Sequence, residues 1–244
     1  MRSDITMIIG TCDKYDIFWE NFMILCDKFW EIDCKKIFIS ETKKVPSEDY
    51  DTFLTGKGLP WTDRMLSAVE TIDTRYIFQM AEDFYLREPV TEEEISGYVE
   101  FLDEEEGNKM LIVPNDNPDT YIFEKEIKSS EFACSKDIRK LSNNSDYQTA
   151  VMPSIWRTEW FKEVVKPNWS PWELEINGTN AIKGKDNRVY LSVKDYPGIS
   201  PGICRAGGFL IEDWDYTHDK YDLKKPGRVE SNGRVEVLLS EDEE

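Results

Sequence analysis

Short apolar runs alternate with longer amphipathic segments along the first half of the chain. Between the runs, apolar residues recur every three or four positions from Trp19 to Trp30 and from Trp61 to Ile72, the spacing of one helix face. Strands that alternate with helices indicate βαβ units, so the pattern predicts an α/β fold with a mostly parallel central sheet. The runs predicted as strands are ITMIIG (5–10), KKIFIS (35–40), YDTFLTG (50–56), YIFQM (76–80) and KMLIVP (109–114).

Residues typical of helix starts and stops mark further elements. Thr91, with Glu94 three positions later, has the pattern of a capping box, and Gly107 is a typical helix stop. Ser170 followed by Pro171 predicts the first turn of another helix.

The second half of the chain is less regular. The segment YQTAVMPSIW (147–156) is predicted as a strand that runs into a helix near Ser154. The segment GRVESNGRVEVLLSEDEE (227–244) ends in an acidic run and is predicted to be a frayed tail. Without an internal repeat or a low-complexity linker, residues 1–226 are expected to form a single domain.

The composition predicts a well-packed core and an acidic surface. Of the 244 residues, 40% are hydrophobic and 13% aromatic, which is ample for a core. Lys and Arg number 30 against 49 Asp and Glu, a formal net charge of −19. Because the Lys and Arg residues are not clustered, such a surface repels polyanions, and we expect neither nucleic acid nor anionic membrane as a partner.

The cysteines and the apolar segments indicate the cellular setting. The cysteines are odd in number and show no CxxC spacing, which argues against a zinc site or a disulfide framework. No apolar run has the length of a signal peptide or of a membrane span, which takes about 20 residues. We therefore expect a soluble, cytoplasmic protein with reduced thiols. The cysteines are Cys12, Cys26, Cys34, Cys134 and Cys204.

Two adjacent carboxylates, Glu82 and Asp83, follow the predicted strand 76–80. Ligands of open α/β sheets bind outside the carboxyl ends of the strands, so these acids lie where a ligand would approach. Mg²⁺ and Mn²⁺ prefer one or two carboxylates together with phosphate oxygens. The pair is thus either a site for a divalent cation that neutralises a bound diphosphate, or a pair of solvated loop acids.

Sequence motifs along residues 1–182 resemble those of small GT-A-type glycosyltransferases. In that family the pattern runs roughly W-[ST]-D-R-x-L before an apolar strand, [ED]-D-F after it, then I-W-R and p-W-x-x-E. The matching segments are TCDKYDIFWENF (11–22), GLPWTDRMLSAVETIDTRYIFQMAEDFYL (58–86), PSIWRTEWF (153–161) and SPWELEINGT (170–179).

The resemblance implies a GT-A-like fold, with a Rossmann-like nucleotide-sugar-binding half at 1–114, an acceptor half at 115–226 and an acidic tail at 227–244. It also implies transfer of a sugar, with inversion, from a nucleoside diphosphate sugar, expected to be a UDP-sugar, to a hydroxyl group of a carbohydrate or glycoconjugate. Asp83 would hold Mn²⁺ or Mg²⁺, and Glu82 would assist through the ribose, a water or the metal shell. Here the acidic pair lacks the first Asp of the family's Asp-x-Asp motif.

The resemblance places the donor nucleotide against two segments. Thr11, Cys12 and Asp13 follow the first strand and would meet the nucleobase, unless they form only a turn. The other segment leads into a helix, and its backbone amides and Arg64 are expected to contact the diphosphate. Alternatively, Asp63 and Arg64 form only a structural ion pair. The second segment contributes Lys57, Gly58, Trp61, Asp63 and Arg64.

The acceptor side is expected to contain the general base. The family's p-W-x-x-E pattern falls on Trp172 and Glu175, so Glu175 is the first candidate for the base and Glu173 the second. Glu173 also completes a capping box with Ser170, a role that needs no catalysis.

Three further residues have two possible roles each. Trp156 and Arg157 either line the acceptor site or, as the spacing of Trp156 suggests, belong to the core. His218, the only histidine, is either a metal ligand from the C-terminal region, as in many GT-A enzymes, or a surface residue.

Two other functions remain open at this point. A nucleotidyltransferase shares an α/β sheet and an acidic metal site, but GTCDKYD (10–16) lacks the basic, glycine-rich triphosphate loop expected there. A catalytically silent binding or scaffold domain is compatible with the incomplete acidic motif.

Overall fold

The strands predicted in the first half are present in the computed structural model. It describes residues 4–113, 120–127, 138–193, 204–205, 208–210, 218–224, 228–231 and 234–237. The strands of the large sheet are β1 (Ile5–Gly10), β2 (Lys35–Ser40), β3 (Asp51–Leu54), β4 (Tyr76–Ala81), β5 (Lys109–Val113), β6 (Phe123–Ile127), β7 (Ile138–Leu141), β8 (Ser154–Arg157) and β9 (Val189–Val193).

Helices connect β1 to β2, β3 to β4, β4 to β5 and β8 to β9. A 3₁₀ segment, Asp13–Phe18, leads into the first α-helix, and a π-helical segment, Leu174–Gly178, separates the last two. The α-helices are α1 (Trp19–Phe29), α2 (Trp61–Val69), α3 (Glu92–Glu104), α4 (Thr158–Val164), α5 (Pro171–Glu173) and α6 (Thr179–Ile182). None of the described helices is both long enough and apolar enough to cross a bilayer.

The large sheet is mixed, with the order β3-β2-β1-β4-β8-β5-β9-β7-β6. Strands β3, β2, β1 and β4 are parallel, as predicted, and β5 is parallel to β9. Strand β8 lies between β4 and β5 and is antiparallel to both. The predicted α/β class is therefore confirmed, with antiparallel pairs in the second half.

The prediction of a helix near Ser154 was wrong, because Ser154–Arg157 is strand β8 and the helix begins at Thr158. Ile155 and Trp156 are fully buried between the partner strands. Pairing with β4 and β5 stabilises the strand conformation of this segment. The helical spacing of its apolar residues is a weaker, local preference.

Both faces of the sheet are covered, which explains why β1 and β4 are apolar at nearly every position. Met7, Ile9 and Phe78 point to a core shared with α1 and α3. Ile8 and Ile77 point to a second core, which α2 and α4 cover.

The caps of α3 are partly as predicted. The Thr91 side chain accepts a hydrogen bond from the Glu94 amide at its start. At its end Glu106, with φ of 49°, takes the left-handed conformation that Gly107 was expected to supply. Gly107 is needed for space, since a Cβ there would lie 2.5 Å from Leu102 Cδ2 and 3.0 Å from the Tyr190 ring.

A smaller antiparallel sheet comes from the C-terminal part of the chain, in the order β10 (Cys204–Arg205), β11 (Gly208–Leu210), β13 (Arg234–Val237) and β12 (Arg228–Ser231). The predicted tail, 227–244, therefore includes two paired antiparallel strands, β12 and β13. Its acidic end, 238–244, lies outside the described residues.

Candidate active site

The carboxyl ends of three neighbouring strands meet at one edge of the large sheet. Gly10, the last residue of β1, pairs with Ile39 of β2 and with Ala81 of β4. The residues that follow these strands, Thr11 and Glu82 among them, therefore leave the sheet side by side. This is the edge where ligands of open α/β sheets bind.

Thr11 and Arg64 form a buried polar group at this edge. Trp19 Nε1 donates a hydrogen bond of 2.8 Å to Thr11 Oγ1, and Arg64 Nη1 donates to the Thr11 carbonyl oxygen. Arg64 Nε is also buried, and no described residue accepts its hydrogen bond. A buried guanidinium with an unsatisfied donor suits an anionic ligand at this edge.

The Glu82 side chain lies beside this group and is 6% exposed. Burial raises the pKa of Glu82 to about 8, and the negative charge of Asp83 contributes in the same direction. The Thr11 hydroxyl and the charge of Arg64 oppose the shift. A cation bound next to the pair would favour the ionised form of Glu82, since an opposite charge within a few ångströms stabilises a carboxylate.

Cys12 and Asp13 differ in how they are held. Asp13 Oδ1 accepts hydrogen bonds from the amides of Thr42 (2.9 Å) and Lys43 (3.0 Å), so its carboxylate organises the loop after β2. The Cys12 thiol is half-buried, and burial together with the charge of Glu82 raises its pKa to about 11. Asp13 is therefore already engaged by protein atoms, and Cys12 is a neutral group near the strand edge.

The loop before α2 leaves the end of β3, and α2 packs on the end of β1. Gly56 and Gly58 have φ of 81° and 84°, conformations that favour glycine, and Lys57 between them is exposed. The Trp61 ring packs on Gly10, where an added Cβ would lie 3.1 Å from the indole.

The first turn of α2 is joined to the segment before α5 by a set of contacts that we call the α2 clasp, formed by Thr62, Asp63, Asn168 and Trp169. Thr62 Oγ1 accepts from the Trp169 amide (2.9 Å), and the Thr62 amide donates to the Trp169 carbonyl (3.0 Å). Asp63 Oδ2 accepts from the Asn168 amide (2.5 Å). One amide at the start of α2 and the Asp63 carboxylate are thus used inside the protein, and Asp63 contacts Asn168 instead of pairing with Arg64.

The clasp leads directly into α5, which contains Glu173, and into the π-helical segment Leu174–Gly178, which contains Glu175. Glu173 Oε2 accepts from the Ser170 amide (2.8 Å) and Ser170 Oγ accepts from the Glu173 amide (3.2 Å), so the predicted capping box is present. Glu175 takes no part in this capping box, and its Oε1 accepts a hydrogen bond from the Val151 amide at 2.7 Å. Burial raises the pKa of Glu175, which suits a group that must take up a proton.

A cavity of about 270 Å³ opens beside Glu175. Its lining combines a carboxylate, hydroxyl and amide groups and an exposed tyrosine ring, a mixture suited to a polyhydroxylated ligand. The other lining residues are Asp146, Tyr147, Ile176, Thr179 and Asn180.

Trp156 and Arg157 do not line this cavity. Trp156 is fully buried and its Nε1 donates to Ser154 Oγ (2.9 Å), so it belongs to the core. Arg157 Nε donates to the Gly107 carbonyl (3.1 Å) at the amino end of β4, the sheet edge opposite to Glu82.

His218 is 1% exposed, so the expectation of a surface histidine was wrong. Its Nε2 lies 3.3 Å from Asn21 Nδ2 of α1, and its ring packs against Tyr85. Neighbouring acids in DYTHDKYD suggested exposure, but the aromatic and amide side chains of α1 and of the loop after β4 cover the ring.

The donor set for a divalent cation is small. Within the described ranges, no three His, Cys, Asp or Glu side chains are grouped closely enough to hold a metal ion. Glu82 and Asp83 fit a cation that also binds phosphate oxygens of a ligand, because such sites need only one or two carboxylates from the protein.

Sequence reasoning missed two residues of this region. Glu41 follows β2, and its Oε2 accepts from the Asp13 amide at 3.2 Å; an acid directly after a buried strand was the available signal. Lys109 is fully buried near Glu175, and a lysine at the start of the apolar run KMLIV was the signal for it.

Comparisons with known proteins identify the fold. The chain matches no protein-family model, and no curated protein is similar to it by sequence. Residues 1–349 of S. aureus TarS, crystallised with UDP-GlcNAc, superpose with a TM-score of 0.53 and 14% identity over 89% of this chain and 65% of that one. The 2-C-methyl-D-erythritol 4-phosphate cytidylyltransferase from Thermus thermophilus superposes with a TM-score of 0.51 and 8% identity, over 90% of this chain and 100% of that one.

A longer TarS chain gives a TM-score of 0.50 at 14% identity, over 89% of this chain and 39% of that one. This chain therefore spans 39% to 65% of the length of the TarS chains it resembles. At these identities the likeness shows a shared fold.

Proposed function

We propose that this protein is a glycosyltransferase that transfers a sugar from a nucleoside diphosphate sugar, with a UDP-sugar as the preferred donor. The observation that carries the proposal is the polar group at the carboxyl edge of β1 and β4, where Arg64, Glu82 and Asp83 lie together. The similar fold of TarS, which was crystallised with UDP-GlcNAc, supports this type of ligand.

In this proposal the donor lies across the edge formed by β1 and β4. Thr11 to Asp13 lie under the nucleobase, and Arg64 faces the diphosphate with its unsatisfied Nε. Glu82 and Asp83 hold Mn²⁺ or Mg²⁺, which supplies positive charge to the leaving diphosphate when bound. His218 is buried against Asn21, so we assign the metal to the acid pair alone.

The acceptor hydroxyl lies in the cavity beside Glu175. The Val151 amide fixes one carboxylate oxygen of Glu175, and the cavity side of the carboxylate takes the proton of the acceptor hydroxyl. Deprotonation of the attacking hydroxyl by a carboxylate on the acceptor side corresponds to an inverting transfer. Glu173 is exposed and caps its helix, and we do not give it a catalytic role.

A second candidate function is nucleotidyl transfer. It is favoured by the cytidylyltransferase, whose whole length this chain spans at a TM-score of 0.51. That reaction joins a nucleoside triphosphate to a phosphorylated acceptor and releases pyrophosphate, so its products differ from those of sugar transfer.

One screen distinguishes the two functions. The chain is incubated with Mn²⁺ and a panel of UDP- and GDP-sugars, and release of UDP or GDP is measured; a parallel panel combines CTP or UTP with sugar 1-phosphates, and pyrophosphate is measured. Release of nucleoside diphosphate supports the glycosyltransferase, and pyrophosphate alone supports the nucleotidyltransferase. Binding of UDP-sugars without either product would indicate a silent binding domain.

A further inference from the structure

Lys109, the first residue of β5, is a lysine with no exposed surface. Its Nζ lies 3.7 Å from the centroid of the Trp156 ring and donates a hydrogen bond of 2.7 Å to the Ala150 carbonyl. A buried ammonium group costs free energy unless nearby groups stabilise its charge. A simple packing role would be filled at lower cost by methionine or leucine.

The Ala150 carbonyl and the Val151 amide belong to the same peptide group. Lys109 donates to the oxygen of this group, and Glu175 Oε1 accepts from its N–H at 2.7 Å. A single peptide plane therefore connects a buried cation on one side to the candidate base on the other. Chains of hydrogen bonds polarise one another, so donation to the carbonyl oxygen strengthens donation by the amide.

We propose that Lys109 is a positioning residue for Glu175 and acts through the peptide group between Ala150 and Val151. Its positive charge stabilises the carboxylate, and its hydrogen bond holds the 150–151 peptide in the orientation that Glu175 needs. The inference rests on the proposed function only in giving Glu175 the role of base; the contact itself is independent of that role.

The electrostatic effects agree from both sides of the pair. Burial holds the pKa of Lys109 well below its usual value and raises the pKa of Glu175, and the charge of each partner opposes the shift of the other. Lys109 therefore keeps Glu175 ionised, and ready to accept a proton, at a lower pH than burial alone would allow.

Other titratable groups also face Glu175. Burial, followed by the charge of Glu175, raises the pKa of Tyr121 to about 12, so the Tyr121 phenol stays neutral over the range in which a carboxyl group titrates. Tyr147 lines the cavity beside Glu175. Asp146 lines the same cavity and is 2.5 Å from Lys183, which offsets its charge. Lys109 is thus the cation whose removal is expected to change Glu175 most.

The test is a direct titration of the Glu175 carboxyl in the full chain by ¹³C NMR, assigned with Glu175→Gln. In Lys109→Met, which replaces the ammonium group by an unbranched apolar side chain one atom shorter, the Glu175 midpoint is expected to move to higher pH. The matched control is Lys36→Met, since Lys36 is also a lysine over an aromatic ring, 4.5 Å from the Tyr50 centroid, and should leave Glu175 unchanged.

Lys109→Gln separates charge from hydrogen bonding, because the amide can still donate to Ala150. Lys109→Gln should also move the Glu175 midpoint to higher pH, and it replaces Lys109→Met in the test if that variant does not fold. An unchanged Glu175 midpoint in a folded Lys109 variant would overturn the inference.

Kinetics distinguishes this inference from the proposed function. With the donor found in the screen, the acidic limb of the pH profile of kcat should move upward in the Lys109 variant together with the NMR midpoint. If the NMR midpoint moves and the kinetic limb does not, Glu175 is not the base, and the coupling of Lys109 to Glu175 still stands.

Discussion

At the scale of single residues, adjacent acids in this protein have different environments. Glu82 is buried against Thr11 and Arg64, whereas Asp83 is half-buried in the loop that follows β4. Glu173 and Glu175, two positions apart, likewise differ, since one caps a helix in solvent and the other faces a cavity. Side-chain direction therefore decides which groups each acid contacts.

Asp83→Asn should abolish turnover and leave the fold intact. The change removes one charged ligand for the proposed cation and alters little packing, because the side chain is only partly buried. Turnover of the donor and the thermal unfolding midpoint would be measured together. If the thermal unfolding midpoint of the variant falls far below that of the parent, and activity is lost only because the protein unfolds, the acid pair has a structural role.

Glu82 should make the free energy of unfolding depend on pH. Its pKa is about 8 in the folded protein, against an ordinary value of 4.5, so the unfolded chain releases the proton first as pH rises. The stability that this group contributes is complete below about pH 4.5 and is lost as pH rises through 8, by about 1.4 kcal/mol per pKa unit at most.

In Glu82→Gln this pH dependence should disappear. Urea unfolding of both proteins between about pH 5.5 and 8.5, with EDTA present, measures the difference across the range in which the group titrates. The parent should lose stability relative to the variant as pH rises; parallel curves would contradict the assignment.

Glu175→Gln and Glu173→Gln should have opposite effects. A general base contributes typically ~10²–10⁴-fold to rate, so Glu175→Gln should reduce kcat by roughly that factor with donor affinity unchanged. Glu173→Gln should lower the unfolding midpoint slightly and keep activity, because only the exposed capping box is weakened. If Glu173→Gln is inactive and Glu175→Gln is only less stable, Glu173 is the base.

At the scale of elements, the α2 clasp joins the helix that contains Arg64 to the segment before α5. Arg64 of α2 donates to Thr11 after β1, and its neighbours Thr62 and Asp63 hold residues 168–169 before α5. Helix α2 therefore contacts both halves of the proposed site.

Thr62→Val should loosen this connection. It removes the two hydrogen bonds of the Thr62 hydroxyl and leaves the Trp169 amide without that acceptor, which typically costs ~1–3 kcal/mol. We expect reduced stability in urea unfolding and a lower kcat. Thr71→Val, the same change beyond the other end of α2, where the hydroxyl donates to Ala68, is the control and should keep kcat.

At the scale of the whole molecule, the net charge of −19 opposes the binding of any diphosphate. Among the described residues, Arg64 is the buried positive charge at the edge formed by β1 and β4. In the proposed function, a divalent cation held by Glu82 and Asp83 would neutralise the diphosphate locally.

UDP should therefore bind only weakly without a divalent cation. Isothermal titration of UDP would be compared in Mn²⁺, in Mg²⁺ and after chelation with EDTA, at one ionic strength. Affinity should fall markedly on chelation, and an unchanged affinity would show that protein groups alone neutralise the diphosphate.

Elements with local signals could be predicted from the residue pattern alone. Strands β1, β2 and β4 follow from continuous apolar runs, and the starts of α3 and α5 follow from Thr91 and Ser170, because periodicity and capping act within a few residues. The acid pair after β4 was found in the same way, from its place directly behind a buried strand.

Which of these segments meet in space depends on contacts between distant parts of the folded chain. The insertion of β8 between β4 and β5, the burial of His218 and the contact of Lys109 with the 150–151 peptide depend on residues far apart in the chain. Arg64 lies 53 positions from Thr11, and Asn168 lies 105 positions from Asp63. Such pairings are set by how apolar faces cover the sheet, and the spacing of residues along one segment contains no information about its distant partner.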